Sequence, residues 1–166
     1  MLKNSFTYNS RLSVEANLAK SSHLIALGFD FGLKRIGVAI GQTLTQSANP
    51  VTILKAENGI PDWEKIKKII KIWKVNILVI GVPYNMNSSK QQPITYAALK
   101  FSNKLKLKSG LPYYTVDERL TTVEAKRLWW FDQKFQKNVK LPQQFDSYAA
   151  KIILEQWFQE NADQIR

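Results

Sequence analysis

The sequence predicts an α/β domain built on a mixed five-stranded central sheet, with element order βββαβαβαα and helices on the sheet faces. Three observations carry this. Three strand-like apolar runs follow one another between Leu24 and Leu54, with links too short to hold a helix. Two further apolar runs, Asn76–Val82 and Leu111–Val116, each follow a segment of helical period. Strand, helix, strand in succession implies a parallel crossover, so the antiparallel first half and the parallel second half share one sheet.

Taken in order, Leu24–Phe31 is short and almost wholly apolar, as a buried strand should be. Gly32-Leu33-Lys34 supplies a turn and Arg35–Gly41 the second strand. Ala48–Leu54 is the third, completing an antiparallel meander. Gly59-Ile60-Pro61-Asp62 then starts a helix through Trp73, in which Ile66, Ile69, Ile70 and Trp73 recur at the spacing of one buried face. Lys65, Lys67, Lys68 and Lys71 occupy the rest of that helix. Asn76–Val82 is the fourth strand. Its Ile77-Leu78-Val79-Ile80 core is apolar throughout, which suits a central strand covered on both faces. A polar loop (Pro83–Gln92) leads to a helix from Pro93 to Leu107, proline being well tolerated in a first helical turn. Leu111–Val116 is the fifth strand. Thr121-Thr122-Val123-Glu124 has the form of a capping box and opens a helix to Phe131. A polar loop (Asp132–Gln144) precedes the last helix, Phe145–Gln159. Residues 1–22 show no period and read as an N-terminal extension; residues 23–160 form the domain, and 161–166 a C-terminal tail.

Composition narrows the chemistry. The 166 residues suffice for one domain with a sizeable core, and 45% apolar with 22% charged residues is ordinary for a soluble globular protein. No apolar run approaches the roughly 20 residues of a membrane helix, and the polar start (Asn4, Ser5, Thr7, Asn9, Ser10) does not resemble a signal peptide. The lack of cysteine excludes disulfides and thiolate metal sites and fits a cytoplasmic location. With His23 as the one histidine, a zinc site or a Ser-His-Asp triad is excluded in practice. Lys and Arg number 24 against 13 Asp and Glu, a net charge of +11, which favours a polyanionic partner. The lysines are scattered along the chain, as on solvated helix faces, and a generally basic protein is the competing explanation.

Against that basic background three carboxylates stand out. Asp30 closes the first strand in Gly28-Phe29-Asp30-Phe31-Gly32; Glu118 follows the fifth strand in Val116-Asp117-Glu118-Arg119; Asp146 opens the last helix in Asp146-Ser147-Tyr148-Ala149-Ala150. Carboxylates in apolar flanks are costly without a partner. The usual partner is a divalent metal, and the usual substrate of such a site is a phosphodiester. Ligand sites in open α/β sheets gather beyond the carboxyl ends of parallel strands, where Asp30 and Glu118 lie. Asp117 and Glu118 are neighbours and should point to opposite faces, so only one should enter a site.

These segments resemble the YqgF/RuvX family of RNase H-fold nucleases. The likeness rests on Asp30-Phe31-Gly32-Leu33-Lys34-Arg35-Ile36-Gly37-Val38-Ala39, Gly81-Val82-Pro83-Tyr84-Asn85-Met86, Asp117-Glu118-Arg119-Leu120-Thr121-Thr122 and Asp146-Ser147-Tyr148-Ala149-Ala150, in the family's order across roughly residues 24–159. The resemblance implies an RNase H-like fold and a metal-dependent nuclease acting at the 5′ end of pre-16S ribosomal RNA during ribosome biogenesis. It implies Asp30, Glu118 and Asp146 as catalytic residues holding one or two Mg²⁺ or Mn²⁺ ions. It also implies pre-rRNA, or the small-subunit precursor that contains it, as the partner, with no membrane involved. An older reading of the family, by similarity to RuvC, is resolution of Holliday junctions in DNA. Two stretches depart from the family's pattern: Asn87-Ser88-Ser89, where a glycine is frequent, and Pro142-Gln143-Gln144-Phe145, where a basic turn is frequent.

Each motif has a plainer explanation. Asp30-Phe31-Gly32 also matches the metal-binding tripeptide of protein kinases, but no kinase catalytic loop follows it. Asp146 alone would read as a cap or a favourable charge on the helix dipole. Lys34, Arg35 and Arg119 are candidates for substrate phosphate, guanidinium binding phosphate through two parallel hydrogen bonds; a surface ion pair is the alternative for each arginine. Trp73 and Trp157 read as core residues, while one of the adjacent Trp129 and Trp130 should be exposed, where it would stack on a base. A non-catalytic nucleic-acid-binding regulator would not need all three carboxylates. A sugar kinase of the actin-like superfamily would need over twice this length.

Overall fold

The computed structural model describes residues 23–84, 93–118 and 145–162. Its strands are β1 (Ile25–Asp30), β2 (Arg35–Gln42), β3 (Ser47–Glu57), β4 (Ile60–Pro61), β5 (Ile77–Val82) and β6 (Tyr113–Asp117). Its helices are α1 (Trp63–Trp73), α2 (Pro93–Ser109) and α3 (Phe145–Glu160). The sheet runs β4-β3-β2-β1-β5-β6. β1 to β4 pair antiparallel in sequence, whereas β5 lies parallel to both β1 and β6. This is the expected mixed sheet with one strand more. The helix expected at 121–131 and the tryptophans Trp129 and Trp130 lie outside the described residues, as do residues 1–22.

Alternation along the strands separates two unlike faces. Leu27 and Phe29 of β1, Ile36, Val38 and Ile40 of β2, and Leu78, Ile80 and Val82 of β5 point one way, into a core shared with Ile66 of α1 and Ala98, Phe101 and Leu105 of α2. Phe101 gathers aromatic rings there, with Phe29, Phe31 and Trp63 at 5.5, 5.3 and 5.7 Å between centroids. The opposite face is lined by small residues: Ala26 and Gly28 on β1, Gly37, Ala39 and Gly41 on β2, Ala48 on β3. Against it lies α3, through Ala150, Ile153, Leu154, Trp157 and Phe158.

The missing bulk is what lets α3 lie so near the sheet. A Cβ at Gly28 would meet the Ala150 carbonyl at 3.0 Å, and one at Gly41 would meet the Phe158 ring at 2.8 Å. The backbone amide of Ala48 donates to Glu155 Oε1 at 3.1 Å, tying the outer strand β3 to the same helix. These contacts set the position of α3 along most of its length.

Two expectations need correction. Gly59-Ile60-Pro61 does not begin a helix. Asn58 and Gly59 have φ of 50° and 78°, and they form the two-residue loop of a hairpin in which Glu57 pairs with Ile60. Asn-Gly is the strongest short hairpin signal, because both positions must adopt positive φ. The helix starts later, capped by Asp62 Oδ1, which accepts from the Glu64 amide at 3.1 Å. The second correction is Trp73, which is 47% exposed although its spacing matches the buried face. The helix ends there. Lys74 turns left-handed at φ 51°, and Val75 returns to Ile70 O at 3.1 Å and fills the buried position in its place. Trp157, by contrast, is buried as expected.

Leu154 is fully buried and touches the point where Gly28 lets the helix in. Leu154→Ala should lower stability by about 2–5 kcal/mol, the range for a buried leucine that leaves a cavity. A lower urea midpoint with unchanged m-value checks this.

Candidate active site

Asp30 is the last residue of β1, between Phe29 and Phe31. Both rings are anchored against Phe101 on the α1–α2 face. The two-residue period therefore turns the Asp30 carboxylate to the α3 face. Its neighbours across the sheet are both glycines: it pairs with Gly37 on β2 and with Gly81 on β5. Those two gaps are filled by the other two acidic residues. A Cβ at Gly37 would lie 1.8 Å from the Asp146 carbonyl oxygen, and one at Gly81 would lie 2.2 Å from Glu118 Oε1. The first turn of α3 thus rests over Gly37, and the Glu118 carboxylate rests over Gly81. Glu118 is fixed at the carboxyl edge of the sheet by its amide, which donates to Val82 O at 3.2 Å.

The three candidate carboxylates are therefore drawn to one end of the sheet from strand, turn and helix. They do not stand open to solvent; Glu118 is buried and Asp30 half-buried. Burial pushes the Asp30 carboxyl well above its ordinary range, and the charges of Glu118 and Asp146 push it further. A side-chain hydrogen bond with Glu118 raises Asp30 as well. Burial likewise raises Glu118, to about 7; the bond with Asp30 lowers it and the nearby charge of Asp117 raises it. Asp117 thus acts on the site through its charge, on the strand position beside Glu118.

Glu118 Oε1 and Asp146 Oδ2 are buried with no hydrogen-bond partner among the described residues. Arg35 Nε lies 2.9 Å from that same Asp146 oxygen, so the two are an ion pair by distance without the geometry of a hydrogen bond. Among the described residues no three acidic or histidine side chains close on a single point as a finished metal cage. Asp30 is turned to Glu118 and Asp146 to Arg35, and that relieves the repulsion among the three. Two buried carboxylate oxygens without an aligned hydrogen bond, in an oxygen-only set, suit a hard divalent cation.

Of the candidates for substrate phosphate, Arg35 lies at the cluster and Lys34 sits exposed in the β1–β2 turn. Arg119 falls outside the described residues. The supporting roles of Gly37 and Gly81 are not visible in the sequence, although both lie inside recognised motifs. Only the cross-strand register shows that they flank Asp30.

A family model described as RuvX, Holliday junction resolvase, matches residues 24–160. The chain belongs to the RuvX family. Curated relatives include a protein of Coxiella burnetii, 58% identical over 87% of this chain and 99% of its own length. Another is from Buchnera aphidicola, 44% identical over 81% of this chain and 98% of its own. Both are provisionally named pre-16S rRNA nucleases. Among solved structures, RuvC of T. thermophilus bound to a Holliday junction superposes with a TM-score of 0.56 at 12% identity, over 85% of this chain and 98% of that one. That likeness establishes the RNase H-like fold. This RuvX-family chain is, with its relatives, a nuclease, a hydrolase of nucleic-acid phosphodiester bonds. No helix among the described residues is long and apolar enough to cross a membrane.

Two predictions follow from the geometry of the cluster. Gly81→Ala puts a methyl group where the Glu118 carboxylate and the Ile153 side chain already lie, at 2.2 and 2.5 Å. Cleavage should fall about 100-fold, as a misplacement of about 1 Å does, while stability falls by about 1–3 kcal/mol. Activity assays paired with denaturant melts separate the two effects. The second concerns pH. Glu118 has a folded-state value of about 7 against an ordinary 4.5, so between those values the folded protein retains a proton that the unfolded chain has lost. Stability in EDTA is then greatest below about 4.5 and falls as pH rises to about 7, by on the order of 2–3 kcal/mol from this group. In Glu118→Gln that fall should shrink, as read from thermal melts across the pH range.

Proposed function

We propose that this chain is a metal-dependent nuclease that processes the 5′ end of pre-16S rRNA, with Asp30, Glu118 and Asp146 as its catalytic residues. The observation that supports it best is the meeting of three carboxylates over Gly37 and Gly81 at the carboxyl edge of the sheet. Asp30, Glu118 and Asp146 would hold one or two Mg²⁺ or Mn²⁺ ions. When bound, such an ion neutralises charge at the scissile phosphate and lowers the pKa of the attacking water. The protein's own part is to hold three oxygen donors in place; because burial raises the carboxyls of Asp30 and Glu118, cation binding should release protons.

The choice of RNA is supported by the names of the relatives, which this chain matches over 98–99% of their length. A net charge of +11 suits a nucleic-acid backbone, and a cytoplasmic location accords with a pre-rRNA substrate. The second reading, junction resolution on DNA, is favoured by the description of the family model. Cleavage of a pre-16S leader RNA, a matched duplex DNA and a four-way junction, each in Mg²⁺, Mn²⁺ and EDTA, distinguishes them. Preferential, EDTA-sensitive cutting of the leader RNA supports the first reading; preferential cutting of the junction replaces it with the second.

Asp30→Asn should reduce turnover by more than the roughly 10–100-fold that losing a group behind a metal ligand costs, while RNA affinity is retained. Near wild-type turnover at saturating Mg²⁺ would remove Asp30 from the site. RNA affinity should fall with salt at a slope of about −0.7 per phosphate contacted on a single strand. A flat response in a filter-binding series would make the positive charge incidental.

A further inference from the structure

Arg35 begins β2 and lies on the same face as Gly37 two residues on, the glycine beneath the first turn of α3. It therefore rises beside Asp146. The two partners differ in exposure: the Arg35 side chain is 53% exposed and the Asp146 side chain 17%. The guanidinium thus reaches in from solvent to an oxygen that has no hydrogen-bond partner among the described residues. Their 2.9 Å contact is held by charge and not by an aligned hydrogen bond, so little directional energy resists its exchange.

We infer that Arg35 competes with the divalent cation for Asp146 and, once displaced, takes a phosphate oxygen of the nucleic-acid strand. This rests on the proposed role of Asp146 as a metal ligand. An arginine stays charged at any relevant pH, so it cannot yield to a second cation by losing a proton; it must move. Two cations on one carboxylate oxygen repel, and the exposed side chain is free to swing away. The nearest use for a released guanidinium at a nuclease site is the phosphate being cut or its neighbour, whose oxygens match the guanidinium fork. One side chain then links the two binding events: cation and strand favour each other because each removes a competitor of the other, and the coupling is reciprocal.

The inference predicts opposite effects of one substitution on two ligands. Arg35→Gln should bind Mn²⁺ or Mg²⁺ about two- to fivefold tighter than the wild type, the span that an exposed ion pair supports. This is read by calorimetric titration of the full chain without nucleic acid. The same variant should show a raised KM for RNA at saturating Mg²⁺. Arg35→Lys, which keeps the charge without the fork, should leave cation affinity close to wild type and restore RNA binding only in part. A merely structural arginine would instead weaken cation and RNA binding together. Asp146→Asn provides the control. If wild type binds the cation, Asp146→Asn binds it more weakly and Arg35→Gln shows no gain, the competition is refuted while the metal reading stands. If neither wild type nor Asp146→Asn binds the cation saturably, the metal reading fails and the competition fails with it.

Discussion

The approach of α3 to a face of the sheet stripped of side chains is the constraint on which the rest depends. Gly28, Gly37 and Gly41 each stand where a Cβ would strike the helix or a residue on it. Among the described residues, this packing is what brings Asp146 near Asp30, from which it is separated by most of the sequence. The apolar contacts of Ile153, Leu154, Trp157 and Phe158 hold the helix down along its length, and the amide of Ala48 holds Glu155. Packing at the far end of α3 is thereby converted into the placement of a single carboxylate in its first turn. An unbranched, small-residue face is destabilising in an isolated strand, since glycine has no side chain to pack. Here the lost contacts are recovered from the helix.

The opposite face makes a complementary contribution. Phe29 and Phe31 flank Asp30 and are anchored on Phe101, which also stacks against Trp63. The aromatic cluster serves the core and, by parity, also aims Asp30. Once aimed, the carboxylate finds glycines on both neighbouring strands. That row, Gly37–Asp30–Gly81, leaves room for one acidic group on each side. Three negative groups in so small a space oppose folding. The opposition is relieved where the raised carboxyls of Asp30 and Glu118 keep protons, and by Arg35 on Asp146. Burial is the first cause of the upward shifts of both Asp30 and Glu118; the charges of Glu118 and Asp146 add to the first and that of Asp117 to the second.

Much of the architecture was legible in the chain because its signals are local. Apolar runs of strand length, the helical spacing of Ile66, Ile69 and Ile70, and the proline opening α2 each act within a few residues. Where local signals compete, the nearer pattern misleads. Asn58-Gly59 is a hairpin turn, but the isoleucine-rich helix close behind it drew Ile60 and Pro61 into the helix. Trp73 obeys the helical period and is nonetheless exposed, because Lys74 ends the helix and Val75 takes the buried position. Periodicity reports a direction around the helix axis; it does not report where the sheet beneath runs out.

The sequence by itself carried the mixed sheet with its antiparallel first half and parallel second half, and the three carboxylates that stand out against a basic chain. Those are properties of residue type and spacing, and they are written in one dimension. The tertiary structure alone decided that Gly37 and Gly81 flank Asp30, that Arg35 meets Asp146, and that burial raises the carboxyls of Asp30 and Glu118. Each depends on strand register and on how closely a helix packs, and each joins residues distant in the chain. Register follows from the pairing of whole strands and closeness from the absence of side chains, and neither leaves a mark at the residue it positions.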